Sequence, residues 1–94
     1  MRVIWLPQAA RRRNAAIERI AEDNIHAALS QLDRIRRQTA RLSARPFMGR
    51  PSERRPATRI LSIVGTPFVI NYRILPDANR VEIIRFLHER QGGE

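Results

Sequence analysis

Apolar and polar positions follow two different periods along this 94-residue chain, helical in the first half and extended in the second. Val3-Ile4-Trp5-Leu6 is a short apolar run ended by Pro7. Proline removes a strand donor but suits the first turn of a helix, so this run predicts a strand and then a helix from about Pro7. That helix carries Ala10, Ile17, Ile20 and Ala21 among charged neighbours and stops near Asp23-Asn24, both good capping residues. A second helix follows at once. Ile25, Ala28, Leu32, Ile35, Thr39 and Leu42 recur at spacings of three and four, which makes one apolar stripe. The two helices are expected to pair as an antiparallel hairpin joined by a tight turn.

Pro46 to Pro56 holds three prolines and no period, and reads as a loop. Beyond it the pattern turns extended. Arg59 to Val64 is β-rich, Gly65-Thr66-Pro67 is turn chemistry, and Phe68 to Ile74 alternates large apolar residues with smaller or polar ones. Pro76 to Asn79 makes a second turn, Val81 to His88 a last strand, and Glu89 to Glu94 a polar tail expected to fray. Helices and strands are segregated, so the fold class is α+β: an N-terminal strand, a two-helix hairpin, then a three-stranded antiparallel meander, with three or four strands in all. Residues 1–94 are expected to form a single domain, since so short a chain cannot bury two cores.

Composition narrows the function. Net charge is +9, from eighteen basic and nine acidic residues, and every basic residue is arginine. Such an excess favours anionic partners. Guanidinium suits bidentate contacts to phosphate and carboxylate, while the absence of lysine also fits a G+C-rich coding sequence. There is no cysteine, which fits a reducing cytosol, and His26 and His88 are isolated. Neither a thiolate or histidine metal site, a carboxylate pair nor a glycine-rich phosphate loop is recognisable, so no metal, nucleotide or other cofactor is expected. The N-terminal apolar run is too short for a signal peptide and no stretch approaches a membrane span, so a soluble cytoplasmic protein without a membrane partner is expected.

Six strings then converge, in order, on one family. Leu6-Pro7-Gln8-Ala9-Ala10, Asp23-Asn24-Ile25-His26-Ala27-Ala28, Pro46-Phe47-Met48-Gly49-Arg50-Pro51, Thr58-Arg59-Ile60-Leu61, Pro67-Phe68-Val69-Ile70-Asn71-Tyr72-Arg73 and Ile83-Ile84-Arg85-Phe86-Leu87-His88-Glu89-Arg90-Gln91 together resemble the RelE/ParE toxins of bacterial type II toxin–antitoxin systems over nearly the whole chain. Within that superfamily the chain looks like the gyrase-poisoning ParE branch. It departs at Ile25, where proline is common, and at Ile60, where a glutamate is common. The resemblance implies a toxin that binds DNA gyrase and arrests growth. It also implies a ParD-like antitoxin with a DNA-binding N-terminal part and a disordered C-terminal segment that folds on the toxin.

Two further readings belong beside it. RelE-like relatives cleave messenger RNA on the ribosome, and the candidates for that chemistry here are Arg59, Arg73, Arg85 and His88. Arginines stabilise developing charge and histidine transfers protons. Against it, Arg85 and His88 differ by three and face opposite ways in a regular strand, and Val69 stands where the ribonuclease branch carries an arginine. A third reading is an inactive or scaffolding paralogue. For the gyrase reading, the candidate target-binding residues are Arg59, Arg73, Arg85, His88 and Arg90. Taken singly, Arg73 reads as a solvated strand residue, Arg59 as a strand flank and His88 as a strand-end surface residue, while Phe68 and Tyr72 read as core. Arg34, Arg36, Arg37, Arg41 and Arg45 line the polar face of the second helix, an ordinary solvated face or an anion-binding one. No helix-turn-helix pattern is present, so operator DNA should be reached only through the antitoxin.

Overall fold

A computed structural model describes residues 1–91 of the chain; the end of the polar tail, residues 92–94, lies outside the described residues. Strand β1 (Arg2–Trp5) leads into helix α1 (Pro7–Asp23), with Pro7 in the first turn, where its missing N–H is no loss. Helix α2 (Ile25–Ala40) starts after a single residue, Asn24, whose side-chain oxygen accepts the Ala27 amide at 3.1 Å and so caps the new helix. A 3-10 turn, Arg41–Ser43, extends α2 and drives Leu42 into the core.

Four more strands follow: β2 (Arg50–Pro51), β3 (Arg59–Ser62), β4 (Phe68–Leu75) and β5 (Arg80–His88). Their order in one sheet is β1-β5-β4-β3-β2. Strands β3, β4 and β5 form the expected antiparallel meander, and β1 runs parallel to β5, so the sheet is mixed. It has five strands rather than three or four. The additional strand is Arg50–Pro51, inside the segment read as a loop. Two residues, one of them proline, carry no periodic signal, and the strand exists only because β3 offers it a partner at the sheet edge.

The core forms between the helices and one face of the sheet: Ala9 and Ile35 from α1 and α2, Leu42, and Phe68, Ile70, Tyr72, Val81, Ile83 and Phe86 from the strands. Ile63 joins them just past the end of β3. Ile25, the first residue of α2, departs from its expected place in the stripe, being 53% exposed. Val64 is not in a strand either. The Gln38 side chain donates to its carbonyl and accepts from its amide, both at 2.8 Å, and this clamp ends β3 at Ser62. Instead of fraying, Glu89–Gln91 form a 3-10 turn, fastened by a bond from the Glu89 amide to the Pro67 carbonyl at 2.7 Å.

One irregularity decides how β5 presents its residues. Asn71 pairs with Arg85, but the next residue, Tyr72, pairs with Ile83, so Ile84 is an extra residue without a partner. Such a bulge resets the alternation of faces. Val81 and Ile83 point toward the helices before it, and Phe86 does so after it, at a spacing of three.

Candidate functional site

The strand register assigns each candidate side chain to a face. Arg59 lies opposite the core residue Tyr72 and so stands on the helix-side face. Arg73 lies opposite Glu82, and Arg85 opposite Asn71, both on the outer face. His88 lies opposite the core residue Phe68 and meets its ring edge-on at 5.8 Å, on the helix side again. Arg90 follows in the terminal 3-10 turn. The five candidates therefore do not form one cluster. Arg85 and His88 face opposite ways, as a spacing of three in extended chain demands, because the bulge falls before both of them.

Local bonds separate them further. Arg59 turns back onto the loop before β2: its Nε donates to the Gly49 carbonyl at 2.8 Å and its guanidinium lies 5.3 Å from the Phe47 ring centre. The same loop is held from the other side by Tyr72, whose hydroxyl donates to the Pro46 carbonyl at 2.7 Å and accepts the Gly49 amide at 2.9 Å. The Pro46 to Pro51 string is thus built around two strand side chains. Burial pushes the Tyr72 hydroxyl pKa up, partly offset by its bond to Gly49 and by the neighbouring Arg59.

Arg73 is paired rather than merely solvated. It donates to Glu82 Oε1 from Nε at 2.9 Å and from a terminal nitrogen at 2.6 Å, while Arg80 Nε reaches Oε2 at 3.0 Å. These bonds, that from Arg73 foremost, hold the Glu82 carboxyl below the usual carboxylate range. Glu82 was not singled out from the sequence. Its signal was there, since counting back equally from the Pro76–Asn79 turn sets a carboxylate opposite Arg73.

Arg85 is half-buried, and one of its terminal nitrogens is sealed from water without a hydrogen-bond partner. Burial lowers its pKa, as do the nearby charges of Arg55, Arg12 and Arg54. His88 and Arg90 are brought together: the Arg90 amide donates to His88 Nδ1 at 3.1 Å, leaving Nε2 as the ring's donor, and the His88 amide donates to the Gln91 side chain at 2.8 Å.

Both residues border a groove of about 760 Å³ between α1 and the far ends of β4 and β5. Its lining includes the apolar Ala16, Ile20, Pro67, Phe68 and Phe86, and the polar Arg12, Arg19, His88 and Arg90 with one carboxylate, Asp23. An apolar trough with a cationic rim accepts an amphipathic segment carrying acidic flanks. Among the described residues no group of three or more histidines, aspartates or glutamates could hold a metal ion, and no helix is long and apolar enough to cross a membrane. Ser52, Glu53 and Arg54 of the β2–β3 loop each have partners.

A two-helix hairpin thus lies over a mixed five-stranded sheet, with a groove bordered largely by arginines at the strand ends. The family described as the ParE toxin of the type II toxin–antitoxin system parDE matches residues 3–92, and the chain belongs to that family. Its fold is similar to that in the structure of a chromosomal ParDE toxin–antitoxin system from P. aeruginosa, with a TM-score of 0.79 and 26% identity over 94% of this chain and 95% of that one. No curated protein matches it in sequence.

Proposed function

We propose that this toxin arrests growth in the cytoplasm by binding DNA gyrase, and that a ParD-type antitoxin neutralises it. The observation that carries a binding role over a nuclease role is the placement of the candidate residues. A ribonuclease needs its arginines and its proton-transferring group converging on one phosphate, whereas here Arg85 and His88 face opposite ways, Arg73 is paired to Glu82 and Arg59 is turned onto loop carbonyls. Side chains dispersed in this way suit a protein–protein interface, which uses several separate contacts and calls for no cofactor. His88 and Arg90, at the exposed end of β5, and the outer-face Arg73 and Arg85 are the target contacts in this reading; Arg59 acts through the loop it holds.

The antitoxin's C-terminal segment would lie along the groove between α1 and the β4–β5 ends, its acidic residues against Arg12, Arg19 and Arg90 and its apolar ones against Phe68 and Phe86. Operator DNA would be reached only through the antitoxin. Induced expression tests the proposal: growth should stop with filamentation and a DNA-damage response, and the co-expressed antitoxin should relieve both. Arrest with messenger RNA cut on the ribosome and no DNA-damage response would favour the ribonuclease reading instead.

A further inference from the structure

A second, smaller recess lies where the start of α1 crosses β5 beyond the end of β1. Strand β1 accompanies β5 only as far as Ile83, and the chain then leaves through Leu6, whose amide donates to the Ile83 carbonyl at 3.0 Å. Past that point the β5 edge borders a recess of about 220 Å³, lined by Gln8, Ala9 and Arg12 from α1, Ile84 to Leu87 from β5, and Gln91. Its chemistry is two-sided. Arg12 and Arg85 supply guanidinium donors and the two glutamines supply amides, while Ala9, Ile84, Phe86 and Leu87 supply apolar wall.

We propose that this recess is a carboxylate-binding site, which takes the end of a glutamate or aspartate side chain presented by a protein partner. Arg85 has a terminal nitrogen sealed from water with no acceptor, a state that a folded protein rarely tolerates. Arg12 and Arg55 add charge of like sign beside Arg85, and such a field attracts an anion. Two forked guanidinium donors match the two oxygens of a carboxylate. Among oxyanions the apolar wall selects the carboxylate. A monoanion with an attached methylene loses less hydration on entering than a phosphate dianion does, and its methylene packs where a phosphate would leave the wall unfilled. A nucleic-acid backbone needs a run of exposed cations, and this is a single partly enclosed recess. Within the protein the competing acceptor is the Asn71 side-chain oxygen, buried, also without a partner, and directly across the strand pair from Arg85.

The site is separate from the larger groove and shares only Arg12, Phe86 and Gln91 with its lining. Its test involves neither gyrase nor an antitoxin, so its outcome is independent of the function proposed above. Propionate, which mimics a glutamate side chain, is titrated into isotopically labelled protein at constant ionic strength, with chloride and inorganic phosphate as parallel arms, and followed by nuclear magnetic resonance. Saturable shifts centred on Gln8, Arg12, Arg85 and Gln91 are expected with propionate. They should be lost in Arg85→Gln, weakened several-fold in Arg12→Gln and unchanged in Arg37→Gln, whose arginine pairs with Asp33 on the far helix. Arg12 is exposed, so its variant keeps the test valid if Arg85→Gln does not fold. Propionate shifts no larger than those of chloride, as when Arg85 closes onto Asn71, would overturn the proposal. So would saturation by phosphate at lower concentration than propionate.

Discussion

The Tyr72 hydroxyl sits 2.9 Å from the Gly49 amide nitrogen and uses both of its bonding capacities on the loop before β2. A Cβ on residue 49 would lie 2.7 Å from the Tyr72 oxygen and 2.7 Å from the Ile60 carbonyl, closer than side chains tolerate. The glycine of the Pro46–Pro51 string is therefore required by close approach. Gly49→Ala is expected to destabilise the protein by about 1–3 kcal/mol through overpacking. Tyr72→Phe should cost a similar ~1–3 kcal/mol, since it strands the Gly49 amide and the Pro46 carbonyl. Denaturant unfolding checks both, and an unchanged midpoint in either variant would contradict the packing described.

Glu82 makes stability depend on acid pH. Its pKa is lower in the folded protein than in the unfolded chain, chiefly through the bond from Arg73. Its contribution is therefore complete above the ordinary glutamate value and disappears as pH falls through the depressed one. Thermal midpoints measured across that range should fall more steeply in the wild type than in Glu82→Gln. Parallel curves would show that Glu82 is not the group responsible.

The helix stripe contains members of unequal weight. Ile35 is fully buried, and Ile35→Ala is expected to cost ~2–5 kcal/mol. Ile25→Ala, at a position more than half exposed, should stay within about 0.5 kcal/mol. Equal losses in the two variants would mean that the stripe is buried along its whole length.

An antitoxin segment lying along the groove, as proposed, would be captured partly through the charge on the groove rim. Arg19 is exposed beside the trough, so Arg19→Glu should leave folding intact yet weaken antitoxin binding by about tenfold at low salt, with a smaller effect as salt screens the rim. Calorimetric titration at two ionic strengths measures this. No change at either would move the antitoxin away from the groove.

The elements were legible in the sequence wherever a period or a cap announced them. The Asn24 cap, the stripe from Ala28 to Leu42 and the alternation from Phe68 to Ile74 each depend on near neighbours along the chain, and each stands in the fold. What was not legible depends on partners distant in sequence. β2 exists because β3 lies beside it, and Val64 leaves its strand because Gln38 captures its backbone; the exposure of Ile25 likewise shows only in the packed fold. For the candidate site, the opposite orientation of Arg85 and His88 could be read from spacing alone. The pairing of Arg73 with Glu82 could be counted from the hairpin turn. The attachment of Arg59 to the Gly49 carbonyl could not, because a loop without period gives no register.

Inhibition of gyrase supercoiling by purified toxin, run beside a ribosome-dependent transcript-cleavage assay, tests the central claim most directly. Wild-type toxin should inhibit supercoiling and leave transcripts uncut. His88→Ala should weaken inhibition by only ~1–2 kcal/mol of binding, so that excess toxin restores it. Ribosome-dependent cleavage by the wild type, with turnover reduced about 100-fold or more in His88→Ala, would contradict the gyrase assignment and leave only the fold and the family.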